Sequence, residues 1–225
     1  MHTHLTTDLG EIDSFELKGD SGVVLVVFPA IFGVDTDIEE LCHDISFEGH
    51  SVVAVDPFWN TDPGPIPHTV EGVHRAMERK RKISKQDGIA FSYACCRAVK
   101  QKYLNEKVVL LGICFGGYMA VCSLGAYLAD AAVVWHGAGL VQHLDALQNI
   151  KGSLNLHFGT EDPLIPKLDR EILAKVLQDK DNVRQWEYEG AKHGFTHRSG
   201  YSFDEFSFLD CMNKLSALLS TQAPS

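Results

Sequence analysis

A thiol does chemistry as its thiolate, and the neighbours of Cys114 favour that form. The residue lies in Gly112-Ile113-Cys114-Phe115-Gly116-Gly117, between the aliphatic run Val108 to Leu111 and a helical pattern that starts at Gly116. A short β-branched run followed by a 3.6-residue period predicts a buried strand that turns sharply into a helix. The glycines leave room for the turn, which thrusts the central side chain outward. At a helix N-terminus, unpaired N–H groups and the macrodipole favour an anion and lower a thiol pKa. A structural cysteine at a tight strand-helix junction would share this pattern, so a chemical role requires that the chain also supply a base and an acid.

The base must accept and return a proton, and an acid must hold its tautomer. Leu156-His157-Phe158 reads as a strand that ends in the acidic turn Gly159-Thr160-Glu161-Asp162-Pro163-Leu164-Ile165-Pro166. Tyr188-Glu189-Gly190-Ala191-Lys192-His193-Gly194-Phe195 ends the next strand and carries a histidine. With parallel strands, Cys114, Asp162 and His193 share the carboxyl edge of one sheet, where such sheets place their sites. Asp162 is the preferred acid and Glu161 the second choice. His193 and His197 are four apart and would pair on a helix, but Gly194 opposes a helix there. No H-E-x-x-H pattern accompanies them, so neither a metal nor another cofactor is expected.

These residues need a sheet to carry them. Val23 to Phe28 and Val52 to Asp56 read as strands joined by a helix from about Asp35 to Phe47, a right-handed βαβ unit. Further strands are expected at Ala132 to Trp135, Leu154 to Phe158 and Gln185 to Tyr188. Helices are expected at Val70 to Lys85, Asp87 to about Asn105, Tyr118 to Leu128, Pro166 to Gln178 and Ser202 to Leu219. Alternation of this kind demands an α/β fold, a mostly parallel sheet with helices on both faces, here as a single domain over 1–225. The proline- and glycine-rich stretch from Pro57 to Thr69, with Phe58 and Trp59, is expected as a loop that shapes a pocket. In the basic stretch after it, one arginine among Arg75, Arg79 and Arg81 could turn inward to hold a carboxylate. The N-terminus with His2 and His4 is expected to be unstructured.

The 225 residues carry a net charge of −10, which opposes attraction to nucleic acid and anionic membranes. With 45% hydrophobic and 22% charged residues, the chain has an ordinary globular composition. No apolar run approaches the length of a membrane span, and the N-terminal stretch lacks the layout of a signal peptide. A cytoplasmic location is expected, as monomer or weak homodimer, with a small molecule as partner. The cysteines other than Cys114 (Cys42, Cys95, Cys96, Cys122, Cys211) fall in helical patterns and read as reduced thiols.

Together, the Cys114 corner, the Ile31-Phe32-Gly33 turn, the Asp162 loop and the His193 loop resemble the dienelactone hydrolase (carboxymethylenebutenolidase) family, over about Val23 to Leu219. The resemblance implies an α/β-hydrolase fold, in which the triad follows the order nucleophile, acid, histidine. It implies hydrolysis of a small lactone or ester by Cys114, Asp162 and His193, with the backbone N–H groups of Ile31 and Phe115 as oxyanion hole. It also implies two arginines for a substrate carboxylate, with Arg198 matching one and Arg75, Arg79 or Arg81 the other, of which Arg81 is chosen; Trp59 of the preceding loop is expected at the pocket. One departure stands out: the family glutamate that precedes the isoleucine near the thiol is Ala30 here. Two other functions fit less of the pattern. An amidotransferase-like cysteine enzyme would need a late H-P-E, which His193-Gly194-Phe195 is not, and a non-catalytic binder of the same fold has only Ala30 in its favour.

Overall fold

Every residue of Val23–Phe28 (β3) is fully buried, and its side chains divide between two cores. Val24, Val26 and Phe28 join one cluster, whereas Val23, Leu25 and Val27 join the other, on the opposite face of the sheet. Lys107–Ile113 (β5) repeats the division, with Val108 and Leu110 on one face and Val109, Leu111 and Ile113 on the other. Strands apolar on both faces belong inside a parallel sheet. Burial of one such side chain contributes about 1.5–3 kcal/mol, which fixes these strands at the centre.

The computed structural model describes residues 1–224. Its eight strands form one sheet in the order β1-β2-β4-β3-β5-β6-β7-β8. The remaining strands are His2–Thr7 (β1), Gly10–Leu17 (β2), Ser51–Val55 (β4), Ala131–Trp135 (β6), Ser153–Gly159 (β7) and Val183–Tyr188 (β8). From β4 to β8 in sheet order all neighbours are parallel, while β1 and β2 add antiparallel at one edge. This is the expected α/β-hydrolase architecture. Helices are Thr36–Phe47 (α1), Val70–Arg81 (α2), Lys85–Lys102 (α3), Gly116–Gly125 (α4), Leu144–Gln148 (α5), Lys167–Leu177 (α6) and Glu205–Gln222 (α7). Among the described residues no helix is long and apolar enough to cross a membrane.

The N-terminal hairpin corrects the expectation of an unstructured end. His2 and His4 stand on β1, where their imidazoles lie 3.1 Å from Glu39 and Asp13. The strand carries one buried apolar side chain, Leu5, too few for a visible alternation, and the backbone register with β2 sets it instead. The expected break between the two helices after Thr69 lies three residues earlier, because Ser84 caps α3 by accepting from the N–H of Asp87.

The junction of β5 with α4 is held by close approach. A methyl group on Gly116 would stand 2.0 Å from the carbonyl oxygen of Phe28 on β3. Gly116→Ala must therefore push α4 away from the sheet and is expected to cost about 1–3 kcal/mol, a drop of roughly 2–12 °C in Tm. Thermal unfolding of the variant measures it, and an unchanged Tm would contradict this packing.

Candidate active site

Sheet order alone brings the three expected residues together. Cys114 follows β5, Asp162 follows β7 and His193 follows β8, all at the carboxyl edge. Cys114 Sγ lies 3.0 Å from His193 Nε2, and His193 Nδ1 lies 2.7 Å from Asp162 Oδ2. Asp162 is buried and its other oxygen accepts from the N–H of Leu164 at 2.8 Å, which orients the carboxylate. Asp162, and not Glu161, is thus the residue that meets the histidine.

Cys114 adopts φ of +52°, a left-handed conformation that costs a residue with a Cβ about 1–2 kcal/mol. The surrounding bonds impose it: Cys114 N–H donates to Trp135 at 3.0 Å, and Gly117 N–H donates to the Cys114 carbonyl at 3.1 Å. No side chain caps α4, which leaves its first turn without a side-chain acceptor.

Charge around the pair favours ionisation. Burial pushes the Cys114 thiol up, but the His193 charge and hydrogen bond, the charge of Lys80 and the N–H of Phe115 together bring it below its ordinary value. For His193 burial acts downward, and the thiolate and Asp162 more than reverse it, so its pKa is raised. The two shifts are halves of one coupled equilibrium, thiolate with imidazolium. The remaining thiols move the other way: burial raises Cys42, Cys96 and Cys211 to about 12 and Cys122 to about 11, and raises Cys95 well above its ordinary value.

A cavity of about 620 Å³ opens over the thiol. Ile31, Phe115 and Ala30 line it, and among the described residues no carbonyl accepts from the N–H of Ile31 or Phe115. Two such donors flanking a nucleophile suit a developing oxyanion. Most of the remaining wall is apolar, including Phe32, Val73, Met77 and Leu164, with Lys80 and Lys85 as its cations.

The expected substrate arginines are elsewhere. Arg198 does not line the cavity; its guanidinium donates to Glu40 at 2.9 Å and Asp44 at 2.7 Å on α1 and lies over the Phe208 ring. Arg81 is exposed in the last turn of α2, where a cation complements the helix dipole. Trp59 packs half-buried against the core beside Gly10, again away from the cavity. The arginine that does turn inward is Arg79, fully buried, and its partners are carbonyls. It donates twice to Ile31, at 2.9 and 2.7 Å, and to Asp62 and Gly64 at 2.9 and 2.7 Å. Its guanidinium also lies 4.0 Å from the centroid of Phe58, which stacks on Phe115. Arg79 therefore braces the turn that carries Ile31 and backs Phe115.

Sequence spacing missed the other histidines. His136, on the turn after β6, packs edge-on against His193 and donates or accepts at Thr196 Oγ1, 2.8 Å away. His193 and His197 do not share a helix; the segment is a series of turns. Two groups have metal-ligating atoms within 4.8 Å of one another: Cys114 with His136 and His193, and Asp37 with His68 and His197.

Known proteins resemble this chain over most of its length. The Dienelactone hydrolase family model matches residues 15–222. The carboxymethylenebutenolidase of Pseudomonas putida is 27% identical over 183 residues, covering 79% of this chain and 78% of that protein. Carboxymethylenebutenolidase 1 of Cupriavidus pinatubonensis is 26% identical over 197 residues, covering 83% and 80%. Among solved structures, a dienelactone hydrolase-like promiscuous phosphotriesterase from metagenomic libraries superposes with a TM-score of 0.71 at 19% identity, covering 96% of this chain and all of that one (100%).

The opposed shifts of the thiols predict selective labelling. Iodoacetamide at neutral pH is expected to modify Cys114 at least tenfold faster than any other cysteine, because Cys114 alone has its thiol pKa lowered while the others are raised. Peptide mass analysis over time measures this, and equal labelling of all six cysteines would refute it.

Proposed function

The chain belongs to the dienelactone hydrolase family and is with it a carboxylic ester hydrolase; we propose that it cleaves small lactones or esters through an acyl-thioester on Cys114. The observation that carries this reading is the unbroken line from Cys114 Sγ through His193 to Asp162, at 3.0 and 2.7 Å. In this mechanism the thiolate attacks the carbonyl carbon, and the resulting oxyanion takes hydrogen bonds from the N–H groups of Ile31 and Phe115. As the C–O bond breaks, His193 Nε2 gives its proton to the departing alkoxide, and Asp162 holds the ring in place. In a lactone the alcohol stays tethered to the acyl group. Water then attacks the thioester while His193 takes its proton, and collapse releases the carboxylic acid and restores the thiolate and imidazolium.

One feature supports neutral substrates over the carboxylate-bearing kind: the cavity has apolar walls without an arginine. The volume suits a small molecule. The family's charged lactone would meet Lys80 and Lys85, besides the imidazolium of His193, and no arginine.

Cys114→Ala is expected to lower kcat by at least about a thousandfold, and Asp162→Asn by on the order of a hundred- to ten-thousandfold, with folding retained. Quenched intact-mass analysis of wild type should find the acyl group on Cys114. Full turnover in Cys114→Ala, or an acyl group on another residue, would end the proposal.

Substrate class is tested with matched aryl esters, one neutral and one bearing a free carboxylate. Wild type is expected to show the higher kcat/KM with the neutral ester, and Arg198→Met to change either value by less than about twofold, because that side chain faces Glu40 and Asp44. A large loss confined to the acidic ester would put Arg198 back in the substrate site.

A further inference from the structure

The wall of the cavity holds three metal-ligating side chains that the hydrolytic line does not use. Asp37 lies in the first turn of α1, His68 in the loop ahead of α2, and His197 in the turns beyond His193. One ligand atom from each falls within 4.8 Å of the other two. All three are nearly buried, and His68 and His197 line the cavity.

Their surroundings resemble the support of a metal centre. His68 Nε2 lies 2.8 Å from Asp35 Oδ2, and Phe32 stacks on the same ring. Asp37 accepts from the backbone N–H of Ser199 at 2.9 Å and from its hydroxyl at 2.6 Å. Carboxylate and hydroxyl partners of this kind orient metal ligands and hold their tautomers. The His197 ring is 6% exposed, and among the described residues no hydrogen bond is made to it. An imidazole on a cavity wall with no protein partner keeps a lone pair available.

We propose that Asp37, His68 and His197 bind a divalent ion of the zinc class, with a fourth position open to the cavity. Two imidazoles and one carboxylate are a donor set that zinc uses at sites with an open position, and imidazole disfavours magnesium and calcium. Bonds of about 2.0–2.2 Å place neighbouring ligand atoms roughly 3.5 Å apart, so from separations within 4.8 Å the three side chains need to close by about 1.3 Å at most. The bound ion would tie α1, the Pro57–Thr69 loop and the His193 turns together. It would also give the cavity a positive charge beyond its lysines.

A second group, Cys114 with His136 and His193, also has close ligand atoms. An ion there would have to part the sulfur from His193 Nε2, which is already 3.0 Å away. The experiment separates the two groups and is independent of whether Cys114 is the nucleophile.

Full-length protein is dialysed against Zn2+ and its metal content measured, with Co2+ absorption as a second probe and circular dichroism to confirm folding. The expected result is one Zn2+ per chain in wild type and equally in Cys114→Ser, with a Co2+ spectrum free of thiolate charge transfer. His68→Gln and His197→Gln are expected to weaken Zn2+ by more than a hundredfold. Asp35→Asn retains the helix cap but loses the charge beside His68, and should weaken it by about ten- to a hundredfold. Failure of wild type to retain Zn2+ would overturn the proposal, as would loss of the ion in Cys114→Ser, a thiolate band with Co2+, or unchanged affinity in both histidine variants.

Discussion

Sulfur and imidazole held 3.0 Å apart at the carboxyl edge of a parallel sheet are the contact on which the site depends. Each partner alone would be driven toward its neutral form by burial, and each is kept charged by the other. The pair therefore exists only where both side chains are placed by rigid structure. The central strand β5 and the glycines after it fix the sulfur, at a backbone conformation costing about 1–2 kcal/mol that the packed junction repays. The turn after β8 fixes the imidazole, and Asp162, arriving from β7, fixes its rotation.

The oxyanion side of the cavity is built by a different device. Ile31 sits on a turn with no regular structure, and Arg79 grips its carbonyl with two hydrogen bonds. The guanidinium spends its donors on carbonyls of three residues and on the face of Phe58, so one side chain joins the Ile31 turn, the proline-rich loop and α2. A planar fork with five N–H donors can do this, and a lysine cannot. Asp56 completes the brace by accepting from the N–H groups of Phe58 and Gly64 in the same loop.

How far the sequence could be read follows from these forces. Cys114, Asp162 and His193 were legible because each ends a strand, and parallel strands deliver their ends to one edge whatever the side chains do. The architecture was legible for a related reason, since Val23–Phe28 and Lys107–Ile113 can be satisfied only between other strands. The arginines were not legible, because the direction of a long charged side chain is set by partners remote in the chain. Arg198 answers to Glu40 and Asp44 on α1, and Arg79 to carbonyls that only the folded loop presents. The same holds for His68 and His197, which meet Asp37 through tertiary packing and have no spacing that would group them. The β1 strand was missed because a single buried leucine carries no pattern.

The paired charge of Cys114 and His193 is the central claim, and the ultraviolet absorbance of the thiolate measures it directly. Wild type is titrated against Cys114→Ser so that the difference reports this sulfur alone. Because the thiol pKa is lowered in the folded protein, thiolate should already be present at neutral pH and should disappear on acidification, with a midpoint below the ordinary thiol value of about 8.5. In His193→Ala the midpoint should rise, since burial would then act without its opponent. A wild-type midpoint at or above about 8.5, or one that His193→Ala leaves in place, would contradict the account.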